Sequence, residues 1–148
     1  MPLAFICKAF DELTAQQMYD MLRLRSEVFV VEQNCVFLDL DNKDQVCYHL
    51  LLYKNGALEA CARLVPPGTS YPEMSIGRIV TSPATRGTGL GKILVQEAIE
   101  ACYRLFGGGP IQIGAQLYAK GFYEAFGFEQ TGEVYDEDGI DHIHMIKP

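Results

Sequence analysis

Apolar residues recur along the chain in two rhythms. Met18, Met21, Leu22, Val28 and Phe29 repeat at the three-and-four spacing of one helix face, which predicts a helix over about 14–30. Thr14 stands three residues before Gln17, the spacing of a capping box, in which each end satisfies the other's free N–H. Leu90, Ile93, Leu94, Ala98, Ala101, Cys102 and Leu105 mark the core face of a second long helix, which the run Gly107-Gly108-Gly109-Pro110 ends. A shorter helix is expected over about 117–126, with Gly127 just past its end.

The second rhythm is that of strands. Residues 3–7, 46–53, 57–65, 74–81, 111–115, 128–135 and 140–146 are short apolar or alternating runs bounded by turn residues. Asn55-Gly56 and Asp138-Gly139 are tight-turn pairs that join neighbouring runs into hairpins. Pro66-Pro67-Gly68 interrupts the chain, and the stretch 32–44, rich in Asp and Asn, reads as a loop. The order is strand, helix, hairpin, strand, helix, strand, helix, hairpin, an α/β chain with a mixed central sheet flanked by helices. At 148 residues, without repeats or a linker, it is expected to form one domain over 1–148.

Charge narrows the partners. The net charge of -7 argues against nucleic acid, whose phosphates need a basic face, and suits cationic substrates. Five cysteines, an odd number without a C-x-x-C pair, argue against a disulfide framework or structural zinc and point to a reducing, cytoplasmic setting. The N-terminal stretch lacks a signal-peptide pattern, and no apolar run approaches the ~20 residues that span a bilayer.

The strongest chemical signal is Arg86-Gly87-Thr88-Gly89-Leu90-Gly91, between a strand and a helix. Glycines let the backbone approach a ligand, the first N–H groups of the helix favour an anion, and Arg86 can add a charge-assisted bond to a phosphate oxygen. A Walker loop is excluded because Arg86 stands at the first glycine position and Ile93 follows Lys92. A dinucleotide fingerprint is disfavoured because the spacing is G-x-G-x-G and residues 105–115 contain no acid. The competing reading is a structural turn before a helix.

Arg86-x-x-Gly89-x-Gly91 after a strand, with Pro83 three residues before the arginine, resembles the CoA-binding signature of the GNAT superfamily of N-acyltransferases. Gln116, Ala119, Phe122, Tyr123, Gly127 and Phe128 resemble a second motif of that superfamily, with Gln116 where many members carry Asn. The segments 22–44, 62–68, 76–80, 86–91, 115–128 and 135–145 are similar, in order, to the blocks of its ElaA-like group. The resemblance implies a GNAT-type fold of element order β-α-β-β-β-α-β-α-β-β. It implies acetyl-CoA, or another acyl-CoA, as co-substrate without a metal; it does not supply the acceptor, a small-molecule or peptide amine, with a peptide N-terminus and a lysine side chain both open. It also brings the expectation of a homodimer, since dimers are common in the superfamily. A non-catalytic acyl-CoA sensor is the alternative.

The resemblance also distributes roles. Ile79, Val80 and Thr81 are expected beside the pantetheine arm, with Val80 favoured for the thioester carbonyl and Gly77 marking a bulge. Arg86, Gly87, Thr88, Gly89, Leu90, Gly91 and Gln116 are expected to bind the cofactor. Tyr123, with an ordinary pKa of about 10, is the candidate acid for the departing sulfur; the alternative is a core tyrosine beside Phe122 and Phe126. The base is open among Glu32, His49, Glu73, Glu137, His142 and His144. Of these, Glu32 and the Glu137–His142 segment are expected to line the acceptor site, and Glu32 and His142 are the catalytic candidates. Arg63 and Arg78 stand inside apolar strands and require carboxylate partners, for which Asp39, Asp41, Glu137 and Asp138 are available. Cys35 reads as a plain thiol, and His142-x-His144 lacks the ligand spacing of a strong metal motif.

Overall fold

The computed structural model of the chain describes residues 3–148. Its elements are β1 (Leu3–Ala9), α1 (Ala15–Arg25), β2 (Tyr48–Lys54), β3 (Ala57–Val65), β4 (Ser75–Thr81), α2 (Leu90–Phe106), β5 (Ile111–Gln116), α3 (Lys120–Glu124), β6 (Glu129–Glu137) and β7 (Ile140–Lys147). Both tight turns form where their sequences demand. Asn55 and Gly56 have φ of 54° and 81°, and Asp138 and Gly139 have 53° and 82°. Two successive positive φ values give the turn whose twist matches paired strands, so each hairpin sets its register locally.

Helix α1 starts with the anticipated capping box: Gln17 N–H donates to Thr14 Oγ1 at 3.1 Å, and Thr14 N–H to Gln17 Oε1 at 3.0 Å. Beyond Arg25 it widens into π-type turns over Ser26–Glu32, with Gln33 N–H donating to Val28 O and Cys35 N–H to Val30 O, both at 3.1 Å. Such turns are uncommon and gather at functional sites. The helix expected over 117–126 is instead a 3-10 turn, Leu117–Ala119, followed by the short α3. Gly127, with φ of 96°, ends that segment as anticipated.

The strands make two antiparallel sheets, β1-β2-β3-β4 and β5-β7-β6. A parallel bridge between Met74 and Ile111 joins them, with Gln112 N–H donating to Met74 O at 3.0 Å. The expected mixed sheet flanked by helices is thus built as two antiparallel halves that touch through one parallel bridge and part beyond it. Alternation along β2 and β3 sends Leu50, Leu52, Ala60, Ala62 and Leu64 toward α2, and Leu51 and Cys61 toward Met21 and Leu24 of α1 and Val28 of the π-type turns. Each fully buried leucine contributes about 1.5–3 kcal/mol of transfer free energy, so the two helices clamp the first sheet from opposite faces. On α2 the buried face takes in Val95 and Ile99, whereas Ile93 is 40% exposed. At 100° per residue Ile93 lies well round the helix from Ala98.

The loop between α1 and β2 is fastened by charge. Arg25, 1% exposed, places Nε 2.9 Å from Asp39 Oδ2 and Nη1 2.9 Å from Asp44 Oδ1. Arg63 Nη1 lies 2.8 Å from Asp41 Oδ1 and 3.2 Å from Asp44 Oδ1. Arg78 Nε lies 2.8 Å from Asp39 Oδ1, and its Nη2 donates to Asp39 O at 2.9 Å. Arg63 and Arg78 thus find carboxylates, as buried guanidiniums must. Asp39 and Asp41 serve as anticipated, Asp44 and Arg25 complete the set, and Glu137 lies instead against His142. Burial pushes the Asp44 carboxyl up, but bonds and charge from Arg25 and Arg63 outweigh it and hold the pKa below its ordinary value.

Removing the Asp44 charge takes one of two carboxylates from each of two buried guanidiniums, leaving Arg25 with Asp39 and Arg63 with Asp41. Asp44→Asn is expected to cost about 3–5 kcal/mol. At ~2–4 °C per kcal/mol for a domain of this size, the thermal midpoint at neutral pH falls by roughly 6–20 °C. A depressed carboxylate stabilises fully above its unfolded pKa of about 4 and loses that contribution as pH falls toward the folded value, so the gap between parent and variant narrows in acid. Thermal unfolding followed by circular dichroism at two pH values checks this; an unchanged neutral midpoint refutes the role given to the cluster.

Candidate active site

The site begins where the two sheets part. On β4, Val80 pairs with Cys61 and Gly77 with Arg63, so two residues, Arg78 and Ile79, face the single Ala62. The extra residue is a bulge, which bends the strand and increases its twist. Its left-handed residue is Arg78, at φ 46°, beside Gly77 where the bulge is expected. Past the bulge, Ser82 N–H donates to Glu59 O at 2.8 Å. Alternation in an antiparallel ladder then turns the Val80 peptide toward β3 and the Thr81 N–H away from it, toward the split. Val80, favoured above for the thioester carbonyl, is 4% exposed and packs on α1. Thr81 holds the open donor.

The glycine loop follows. Gly87 and Gly89 have φ of 80° and 84°, and a Cβ at either would meet nothing within 4 Å, so backbone conformation rather than space demands glycine there. Gly89 is the N-cap of α2. Ile93 N–H bonds back to Gly89 O at 3.3 Å. The N–H groups of Leu90, Gly91 and Lys92 precede it and have no acceptor within the helix. With the dipole of a 17-residue helix behind them they form a seat for an anion. Thr88 is turned inward: its N–H and Oγ1 both donate to Thr85 O, at 3.3 and 2.5 Å. A Cβ on Gly91 would lie 3.8 Å from Phe122 Cζ and 3.9 Å from Thr81 Cγ2, so the start of α2 sits against both the end of β4 and α3.

Two predicted residues are brought together. Glu32, at the end of the π-type turns, grips Arg86 through both oxygens, with Nη1 donating to Oε2 at 2.6 Å and Nη2 to Oε1 at 2.5 Å. The hydrogen bonds to Arg86 lower the Glu32 pKa. A carboxylate held ionised by a guanidinium is a poor proton acceptor. The same pair occupies the fork that Arg86 would offer a phosphate.

The remaining candidates lie along the second sheet. Burial raises the Tyr123 pKa, so its hydroxyl stays protonated at neutral pH. Its ring packs edge-on against Phe122 and Phe128. Gln116 Nε2 donates to Gln33 Oε1 at 3.3 Å, a contact across 83 positions that nothing in the sequence announces. His142 Nδ1 lies 2.7 Å from Ile140 O and Nε2 lies 3.3 Å from Glu137 Oε2. Nδ1–H donating to that carbonyl leaves Nε2 to accept a proton beside the carboxylate. His49 is fully buried against Asp44 O at 2.9 Å, far from these groups in role, and burial lowers its pKa. Cys35 donates to Asp138 O at 3.4 Å. Asp39 and Asp41 are committed to arginines.

Residues 40–148 match the family of the acetyltransferase (GNAT) domain. The chain belongs to the GNAT acetyltransferase family. Among its relatives a UPF0039 protein from Synechocystis is 45% identical over 93% of this chain and 90% of its own length. Protein ElaA of Escherichia coli is 41% identical over 93% of this chain and 91% of its own. The crystal structure of an acyl-CoA N-acyltransferase from Pseudomonas aeruginosa superposes with a TM-score of 0.95 at 40% identity, covering 99% of this chain and 100% of that one. The GNAT loop and the split between β4 and β5 are thus set in a family that uses acyl-CoA as co-substrate.

If Arg86 takes a phosphate of the co-substrate, Glu32 competes for the same guanidinium. Glu32→Gln removes the competing charge and is expected to tighten CoA about two- to fivefold at low salt, an effect that shrinks as salt rises. Isothermal titration with CoA reads it directly. Were Glu32 the general base, the same variant would leave CoA affinity alone and lower kcat by about a hundredfold or more.

Proposed function

We propose that the chain transfers an acyl group, acetyl in the first instance, from acyl-CoA to a primary amine by direct attack. One observation carries the reading: the unspent N–H groups opening α2 lie beside Thr81, whose own N–H faces the split. An anion on the helix start and a thioester along β4 are then held by one continuous run of backbone. Arg86, Gly87, Gly89, Leu90 and Gly91 take the pyrophosphate end, and Ile79 and Thr81 flank the arm. Gln116, tied to Gln33, borders the far wall.

The chemistry then needs three acts. Thr81 N–H polarises the thioester carbonyl. His142 Nε2 accepts the proton that the amine loses, with Glu137 stabilising the charge. Tyr123 gives its phenolic proton to the sulfur as the C–S bond breaks and the C–N bond forms. The Tyr123 hydroxyl has no protein partner among the described residues, which suits a donor aimed at a ligand. Glu32 acts on entry of the co-substrate rather than on the proton.

Acetyl-CoA and CoA at about a hundred times their Kd should each add ~2.7 kcal/mol, raising the thermal midpoint by roughly 5–10 °C, with NADH as the inactive comparison. Stabilisation by NADH alone would overturn the assignment. Tyr123→Phe keeps the ring and removes the proton, so kcat with a responsive amine is expected to fall by about a hundredfold or more while the acetyl-CoA shift persists. Full binding by the parent with no transfer across an amine panel would favour an acyl-CoA sensor instead.

A further inference from the structure

Strand β5 carries a glycine in its middle, and two phenols reach for it. Gly114 is exposed, yet a Cβ built there would lie 3.0 Å from Tyr135 Oη and 3.2 Å from Tyr71 Oη. Glycine is unfavourable in a strand unless something approaches closely. Here two hydroxyls from different parts of the chain converge on one stretch of backbone. Neither has a hydrogen-bond partner among the described residues, and neither is sealed from solvent. His144 stands opposite Gly114 on β7 and completes the group. Tyr135 stacks on His144, centroids 4.6 Å apart and planes at 22°, and Tyr71 meets it edge-on at 5.6 Å.

The place of this group matters as much as its composition. The two sheets touch at Met74 and Ile111, and Gly114 lies three residues beyond that bridge on β5. Ile113, Ala115, Ile143 and Met145 point into the core against α2, so Gly114 and His144 belong to the opposite face. Tyr135 also lies 5.8 Å from His142, the proposed base. Glu137 is close enough to add to the upward push that burial gives the Tyr71 and Tyr135 pKa values. Arg78, the arginine of β4, is already committed to Asp39 and Asp41.

We propose that Tyr71, Tyr135 and His144, gathered over Gly114, form the acceptor subsite, and that it selects an unbranched aliphatic amine bound as its ammonium without an adjacent carboxylate. Ring faces attract a cation, phenol oxygens accept its N–H groups, and the stem lies along the stacked rings. Glu137 adds charge of the same sense and repels a carboxylate carried by the ligand. The inference rests on the acyltransferase reading for the word acceptor, but its geometry is independent of it.

The chain has three histidines and no tryptophan, so imidazole proton signals are few and directly readable by NMR. The probes are n-butylammonium, n-butanol, butyrate and 4-aminobutyrate, titrated into the CoA-saturated protein, with His144 assigned through His144→Gln. The amine is expected to shift the His144 signal, saturably and more tightly than the alcohol or the amino acid, with butyrate inert. Gly114→Ala, whose methyl displaces both phenols, should weaken the amine by about fivefold or more. Should that variant fold poorly, Tyr135→Phe removes one oxygen and keeps the stacked ring, with the same direction expected. An unmoved His144 signal at saturating amine, or equal shifts from amine and butyrate, overturns the subsite. Failure of the acyltransferase reading appears separately, as the absence of acetyl-CoA stabilisation or of any acetylated product.

Discussion

Beyond the single bridge at Met74, strand β4 bulges at Arg78, which occupies a left-handed conformation that an L-residue adopts only under constraint. The constraint is electrostatic. Asp39 meets the Arg78 guanidinium with its carboxylate and its backbone carbonyl, and Asp41 lies within 3.4 Å. A left-handed residue costs on the order of 1–2 kcal/mol, and ion pairing in a largely buried setting offsets it. The bulge so held bends β4, and the open ladder between β4 and β5 is the groove in which the proposed chemistry is set.

The same aspartates do a second task. Arg25 comes from the end of α1 and Arg63 from β3, so one loop carrying Asp39, Asp41 and Asp44 ties a helix, a central strand and the bulged strand together. Opposite charges are matched three to three, which is how buried ions are tolerated. The helix that supplies Arg25 continues through π-type turns to Glu32. Glu32 then reaches Arg86 across the mouth of the groove. Loop, bulge and mouth are therefore linked through α1 by charge, with the apolar core of the first sheet as the fixed frame.

Function divides between backbone and side chain along the groove. The anion seat and the donor on Thr81 are backbone features, insensitive to side-chain identity except where Gly87 and Gly89 supply positive φ. The proposed acid, base and acceptor contacts are side chains, and all of these lie on α3 or on the second sheet and its neighbours. The first sheet and α2 thus carry the proposed co-substrate end, and the second sheet the proposed acceptor end.

Local signals were sufficient for most of the fold and for the anion seat. The capping box of Thr14 and Gln17, the two positive-φ hairpins and the glycine loop before α2 each depend on residues a few positions apart, and each forms as the sequence implies. The family resemblance, carried by motifs along nearly the whole chain, was legible for the same reason. Tertiary structure decided what depends on contacts across tens of positions. The pairing of Glu32 with Arg86, of Gln33 with Gln116, and of Arg25 with Asp44 has no periodic trace in the sequence. The turning of Thr81 rather than Val80 toward the split follows from a ladder phase set by the bulge. The convergence of Tyr71 and Tyr135 on Gly114 left one visible sign, a glycine inside a strand. Spacing along a chain encodes what neighbours do; which distant charges and rings meet is settled by how two sheets part, and that is a property of the packed whole.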